Sequence, residues 1–183
     1  MKYLFRLTFF AFLFSVFSFL LSAQENRLTG TWRFNDGWHN VDYVFGDNNS
    51  FELFYNNMLY KRGTYSIDGN RIVLNTRFIN GECVNFIFER HRISDIRFQN
   101  ALMPYNDFNN TYTRLMRQAY ARSNYITTSE ANRYIQNDIA NFFPHIERLY
   151  HIWNGEILVL NHFNLMEKYR ERIPFTRVVL SNE

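Results

Sequence analysis

Gly63-Thr-Tyr-Ser-Ile-Asp-Gly-Asn-Arg-Ile-Val-Leu74 is two short runs of alternating apolar residues around an Asp-Gly pair. Such a pair of runs encodes a β-hairpin, because the central residues of a tight hairpin turn need positive φ. With Asp68-Gly69 as the loop, Tyr65 faces Ile72 and Gly63 faces Leu74; a loop that includes Asn70 shifts this register by one. Working outward, Leu28 to Phe34 is strand-like and Asn35-Asp-Gly37 is a turn. Val41, Tyr43 and Phe45 then alternate with Asp42, and Gly46-Asp-Asn-Asn49 turns the chain. Phe51, Leu53 and Tyr55 alternate with Glu52, and Asn56-Asn57 turns it again before Leu59 to Ile67. The whole stretch from Leu28 to Leu74 reads as an antiparallel meander.

Downstream, Arg71–Phe78 and Cys83–Arg90 form a further strand pair around Asn80-Gly81, with Val84, Phe86 and Phe88 on one face. Cys83 reads there as a small buried residue on a strand. Six strands at a spacing of about ten residues indicate an all-β sandwich or barrel rather than βαβ units. From Pro104 to Phe143 the apolar period becomes helical. Phe108, Tyr112, Leu115 and Ala119 make one stripe, and Ala131, Tyr134, Ile135, Ile139 and Phe142 make another. Thr127-Thr-Ser-Glu130 fits a capping box, so the spacing predicts helices over 105–122 and 129–143. Strand signal returns in a hairpin, Glu147–Trp153 and Glu156–His162 around Asn154-Gly155. That loop pairs Trp153 with Glu156, His151 with Leu158 and Leu149 with Leu160. Phe175 to Leu180 supplies the last strand. The chain is therefore expected to be mainly β: an antiparallel barrel of about eight to nine strands with a two-helix insertion at about 105–143.

The first residues are of another kind. Lys2 and Arg6 precede an apolar run to about Leu21, followed by the small-residue site Leu21-Ser-Ala23. That is the pattern of a cleaved secretory signal peptide, and the run falls short of the ~20 residues a membrane span needs. Residues 1–23 are thus read as signal peptide and 24–183 as one domain with a helical insert at 104–143, exported to the periplasm or secreted, with no stable membrane span after cleavage. The chain carries 20 Lys and Arg against 17 Asp and Glu; losing Lys2 and Arg6 leaves 18 against 17, so the net charge falls from +3 to +1. A charge that small argues against nucleic acid as a partner. A single cysteine excludes an intramolecular disulfide.

Gly30-Thr31-Trp32 resembles the G-x-W signature of lipocalins and the wider calycin group. The segment 63–74 resembles a hairpin common in small exported bacterial lipocalin-like domains. The resemblance implies a closed barrel in which Gly30, Trp32 and Arg177 form a structural signature, Arg177 from the last strand lying across the Trp32 indole. Two features depart from the family pattern: the mid-chain Thr-Asp-Tyr motif is absent, and helices interrupt the meander.

Catalytic motifs such as G-x-S-x-G, H-E-x-x-H and the P-loop are absent from the sequence, which reads as a non-enzyme requiring no cofactor and no metal. The hairpin register sets Glu147 opposite His162, with His151 on the same face. This group is read as a solvated charge pair at the open end of the hairpin, a metal or titrating site being the alternative. Arg114, Arg117 and Arg122 read as a solvated helix face. If the sheet closes, Tyr43, Phe45, Phe51, Tyr65, Phe86 and Phe88 are the candidate ligand-binding residues of the interior. The expected function is binding of a small hydrophobic or amphipathic ligand. The alternative is a cell-envelope protein with a filled barrel whose helices meet an envelope partner.

Overall fold

The strands of the meander close on those that follow the helices. The computed structural model describes residues 28–90, 96–99, 101–122, 126–153, 157–160 and 173–178. The expected signal peptide, the Asn154-Gly155 turn with Glu156, His162 and Leu180 lie outside the described residues. Nine strands are present among them: β1 (Gly30–Asn35), β2 (Asn40–Phe45), β3 (Ser50–Tyr55), β4 (Met58–Asp68), β5 (Arg71–Asn80), β6 (Leu102–Pro104), β7 (Ile146–Trp153), β8 (Ile157–Leu160) and β9 (Ile173–Arg177). The sheet runs β4-β3-β2-β1-β9-β8-β7-β5-β6 and closes through β4 and β5. Eight strands thus form a closed antiparallel barrel. The ninth, β6, hangs on the C-terminal half of β5, whose N-terminal half pairs with β7.

Turn chemistry sets the registers. Asn56 and Asn57 both have positive φ (48° and 65°), which makes a tight loop between Tyr55 and Met58. In the next hairpin the loop is Gly69-Asn70 rather than Asp68-Gly69. Asp68 pairs with Arg71, Ile67 with Ile72 and Tyr65 with Leu74, two residues from the expected register. Gly69 takes the positive φ (60°) at the first central position, which a glycine accepts and Asp68 does not need. A shift of two leaves every side chain on its expected face. The β7–β8 hairpin moves likewise: His151 pairs with Leu160 and Trp153 with Leu158.

Two bulges bend β4. One falls between Leu53 and Phe54 of β3, leaving Tyr60 as the extra residue of β4; the other lies at Arg62/Gly63 against β5. At the second bulge the backbones come so close that a Cβ on Gly63 would sit 1.9 Å from the Asn75 carbonyl oxygen. Only glycine fits there.

The expected strand at 83–90 is instead a helix, α1 (Gly81–Arg90). Asn80 explains its start: its Oδ1 accepts from the backbone N–H of Glu82 at 2.9 Å and of Cys83 at 3.4 Å, as an N-cap does. Cys83, Val84, Ile87 and Phe88 are the buried residues, a helical spacing that the short apolar run disguised as alternation. Helices α2 (Tyr105–Ala121) and α3 (Thr128–Phe142) lie where expected, and Thr127 and Glu130 form the capping box. No helix among the described residues is long and apolar enough to cross a membrane.

The helices extend the barrel core at one end. Phe98, Phe108, Tyr112 and Phe143 pack ring against ring, Phe98 on Phe108 at 4.9 Å between centroids and Phe108 on Phe143 at 5.0 Å. This cluster is continuous with the barrel interior. Two tyrosine hydroxyls tie the layers together: Tyr60 donates to the Phe142 carbonyl and Tyr105 to that of Phe143.

Candidate functional site

Along each strand, alternate side chains point into the barrel, and nearly all of these are apolar. Tyr43, Phe45, Phe51 and Tyr65 are buried there, as the alternation requires. Tyr43 stacks on Phe45 at 5.8 Å, Phe45 meets Tyr65 edge-on at 5.0 Å, and Phe175 meets Tyr43 at 5.4 Å. Phe86 and Phe88 are not strand residues of this wall, because they belong to α1. Phe86 reaches Tyr55 from the helix and Phe88 joins the ring cluster with Tyr112 and Phe143.

The signature residues meet at the seam that closes the barrel. Trp32 is fully buried and pairs in register with Arg177. The guanidinium lies 5.7 Å from the indole and donates to the Thr29 carbonyl at 2.8 Å. Gly30 lies beside it at φ 125°, a backbone conformation that favours glycine, although a Cβ there would meet the Arg177 head only at ordinary contact distance, 3.5 Å.

The apolar interior is interrupted at one level. Among the described residues, three buried side chains are polar or charged: Lys61, Thr76 and Glu147. Lys61 of β4 and Glu147 of β7 form an ion pair across the inner face of β5, the strand that carries Thr76. Both are almost fully enclosed, at 6% and 5% side-chain exposure. The solvated charge pair expected for Glu147 is therefore corrected: its partner is Lys61, inside the barrel. The pairing chain Tyr43–Leu53–Lys61 puts Tyr43 on the same inner row. The hydroxyls of Tyr43 and Thr76 have no hydrogen-bond partner among the described residues. Burial first, and the Glu147 charge second, push the Tyr43 hydroxyl well above the ordinary tyrosine range, so it stays a donor.

Lys61 was hidden in the sequence by its charge, but its parity matches Tyr65, and that is the signal that points it inward. The bulge then buries Tyr60 as well, so two neighbours face the interior at once. Tyr60 is also pushed well up, by burial and then by Cys83 and Glu147. Burial pushes the Cys83 thiol up to about 12, which keeps it protonated and unreactive at neutral pH.

His151 shares the inner face with Glu147 and Leu149, and its Nδ1 has no partner among the described residues. Burial lowers its pKa from the ordinary 6.5, a backbone contact at Asn70 offsetting part of this. The unfolded chain therefore takes up the proton first as pH falls. The His151 contribution to stability is complete above about 6.5 and is lost below it. Urea midpoints should drop between about pH 7.5 and 5.5, and His151→Gln should flatten that slope. An unchanged slope in the variant would remove His151 from the account.

Outside the barrel, a cleft of about 350 Å³ runs between α2 and α3, lined by Asn109, Thr113, Arg117, Asn132 and Gln136 among others. Arg117 donates to Asn132 at 3.0 Å, while Arg114 and Arg122 are exposed. No group of three metal-ligating side chains converges among the described residues.

No family model matches the chain, and neither a curated protein nor a solved structure does. The architecture stands on its own geometry: a closed eight-stranded antiparallel barrel with one extra strand, compatible with a lipocalin-like fold.

Proposed function

We propose that this chain is an exported, lipocalin-like binding protein, periplasmic or secreted, that holds a small apolar or amphipathic molecule in its barrel. The observation that carries the reading is the polar level inside an otherwise apolar barrel. Buried hydroxyls are normally hydrogen-bonded, so the two free ones of Tyr43 and Thr76, beside an enclosed ion pair, suit a ligand or a water that meets them. Few placed polar groups in an apolar wall is the general composition of a ligand site. The ordered appearance of a signal pattern, Gly30-Thr-Trp32 and Arg177 supports the family assignment.

The test is titration of an environment-sensitive naphthylamine dye into the purified full-length mature protein. Saturable binding that an apolar competitor reverses is the expected result; dye that never saturates would defeat the proposal. The second reading, a filled barrel serving as an envelope interaction module, draws on different residues. The ring contacts of Tyr43, Phe45, Tyr65 and Phe175 fill part of the interior. Phe142, Ile146 and Tyr150 are large and more than two-fifths exposed, at 41%, 47% and 42%. Self-association or a stable envelope complex seen by light scattering, without dye binding, would favour it.

A further inference from the structure

Resting on the binding proposal, we infer that the barrel selects ligands whose polar head is neutral, an alcohol, ketone, ester or amide, over ligands with a carboxylate head. The geometry that carries this is the closed pairing of Lys61 with Glu147. Each is enclosed, and each is the other's partner. The interior charge at this level is therefore already balanced. A carboxylate entering it would add an unbalanced charge to a region that solvent does not reach, and an isolated buried ion is strongly disfavoured. The free groups ask for something else. Tyr43 is fully buried with an unpartnered hydroxyl, and Thr76, equally buried, carries another. Both can donate to and accept from a neutral oxygen. The remaining inward residues on this row and its neighbours, Leu53, Ile79, Leu74 and Phe175, are apolar and enclosed, so they offer no alternative partner to a polar head.

The charge balance also determines how selectivity changes on mutation. Removing the negative partner leaves Lys61 without its counter-ion, so the same level then attracts a carboxylate. Removing both charges leaves the level neutral, and the preference for a neutral head persists.

The experiment uses decanol and decanoate as competitors for the naphthylamine dye bound to the full-length mature protein at neutral pH. The wild type should bind decanol about tenfold more tightly than decanoate, the scale set by one unpaired buried polar group. Glu147→Gln should reverse the order in favour of decanoate. Tyr43→Phe should weaken decanol about tenfold. Lys61→Met/Glu147→Leu provides a variant with no buried charge, in which decanol should remain preferred. Equal or tighter binding of decanoate by the wild type overturns the inference while leaving the binding proposal standing. Absence of saturable dye binding removes the binding proposal itself, and this inference with it. Retained decanol preference in a folded Glu147→Gln protein would show that the ion pair does not set the selectivity, and would overturn it as well.

Discussion

Lys61→Met and Glu147→Leu, each alone, should lower the free energy of unfolding by about 3–5 kcal/mol, whereas the double substitution should return it close to the wild-type value. The reason is an asymmetry in what is left behind. Lys61 and Glu147 are almost wholly enclosed and each is the other's partner. Removing one abandons a charge in a barrel lined by Leu53, Leu74 and Ile79, where it finds neither water nor a counter-ion. Removing both removes the desolvation penalty too, and Met and Leu fill similar volumes with apolar atoms. Denaturant unfolding of the four proteins gives the coupling energy directly, since the two sites are in contact and their effects should be strongly non-additive. Additive losses would mean that the pair is solvated and that the enclosed geometry is wrong. A double variant at least as stable as the wild type would carry a further implication. The pair then contributes nothing to folding, and its retention in the barrel has to be explained by what it binds or excludes.

How much of this was legible beforehand differs by residue. Alternation placed Tyr43, Phe45, Phe51 and Tyr65 on the inner face, and that parity survived two hairpins whose loops differ from the expected ones. It survived because both registers moved by two, and the side-chain period of a strand is two. Turn type was harder to read than turn position: Asp68-Gly69-Asn70 offers more than one two-residue loop, and only the backbone decides between them. The expected strand Cys83–Arg90 lies within a helix: apolar side chains at 83, 84, 86, 87 and 88 satisfy both periods. The deciding feature was Asn80, whose side chain caps a helix as readily as it makes a turn. Glu147, expected in a solvated charge pair with His162, is instead enclosed with Lys61. Its partner lies 86 residues away on β4, and only closure through β4–β5 and β5–β7 brings them together. No local pattern carries such information.

Trp32→Ala should destabilise the whole barrel by about 3–5 kcal/mol, and Arg177→Ala by about 1 kcal/mol or less. The two residues face each other at the seam between β1 and β9, the place where first and last strands join. That seam is short: Trp32 pairs with Arg177 and Arg33 with Thr176. Trp32 has no exposed surface, and its indole N–H donates to the Leu28 carbonyl at 2.7 Å, anchoring the chain that leads into β1. Truncation to alanine opens a cavity where the barrel closes and orphans that carbonyl. Arg177 is exposed, so its interaction with the ring is screened and its loss should be small. Trp32→Phe separates the two roles of the indole, keeping most of the volume and losing only the Leu28 hydrogen bond. Its loss should therefore fall between the other two, near 1–3 kcal/mol. Urea unfolding measures all three. Hydrogen exchange adds where the damage spreads: for Trp32→Ala, protection should fall in β1, β2, β8 and β9 together. Loss confined to β1 would mean that the indole holds an edge rather than a closed barrel.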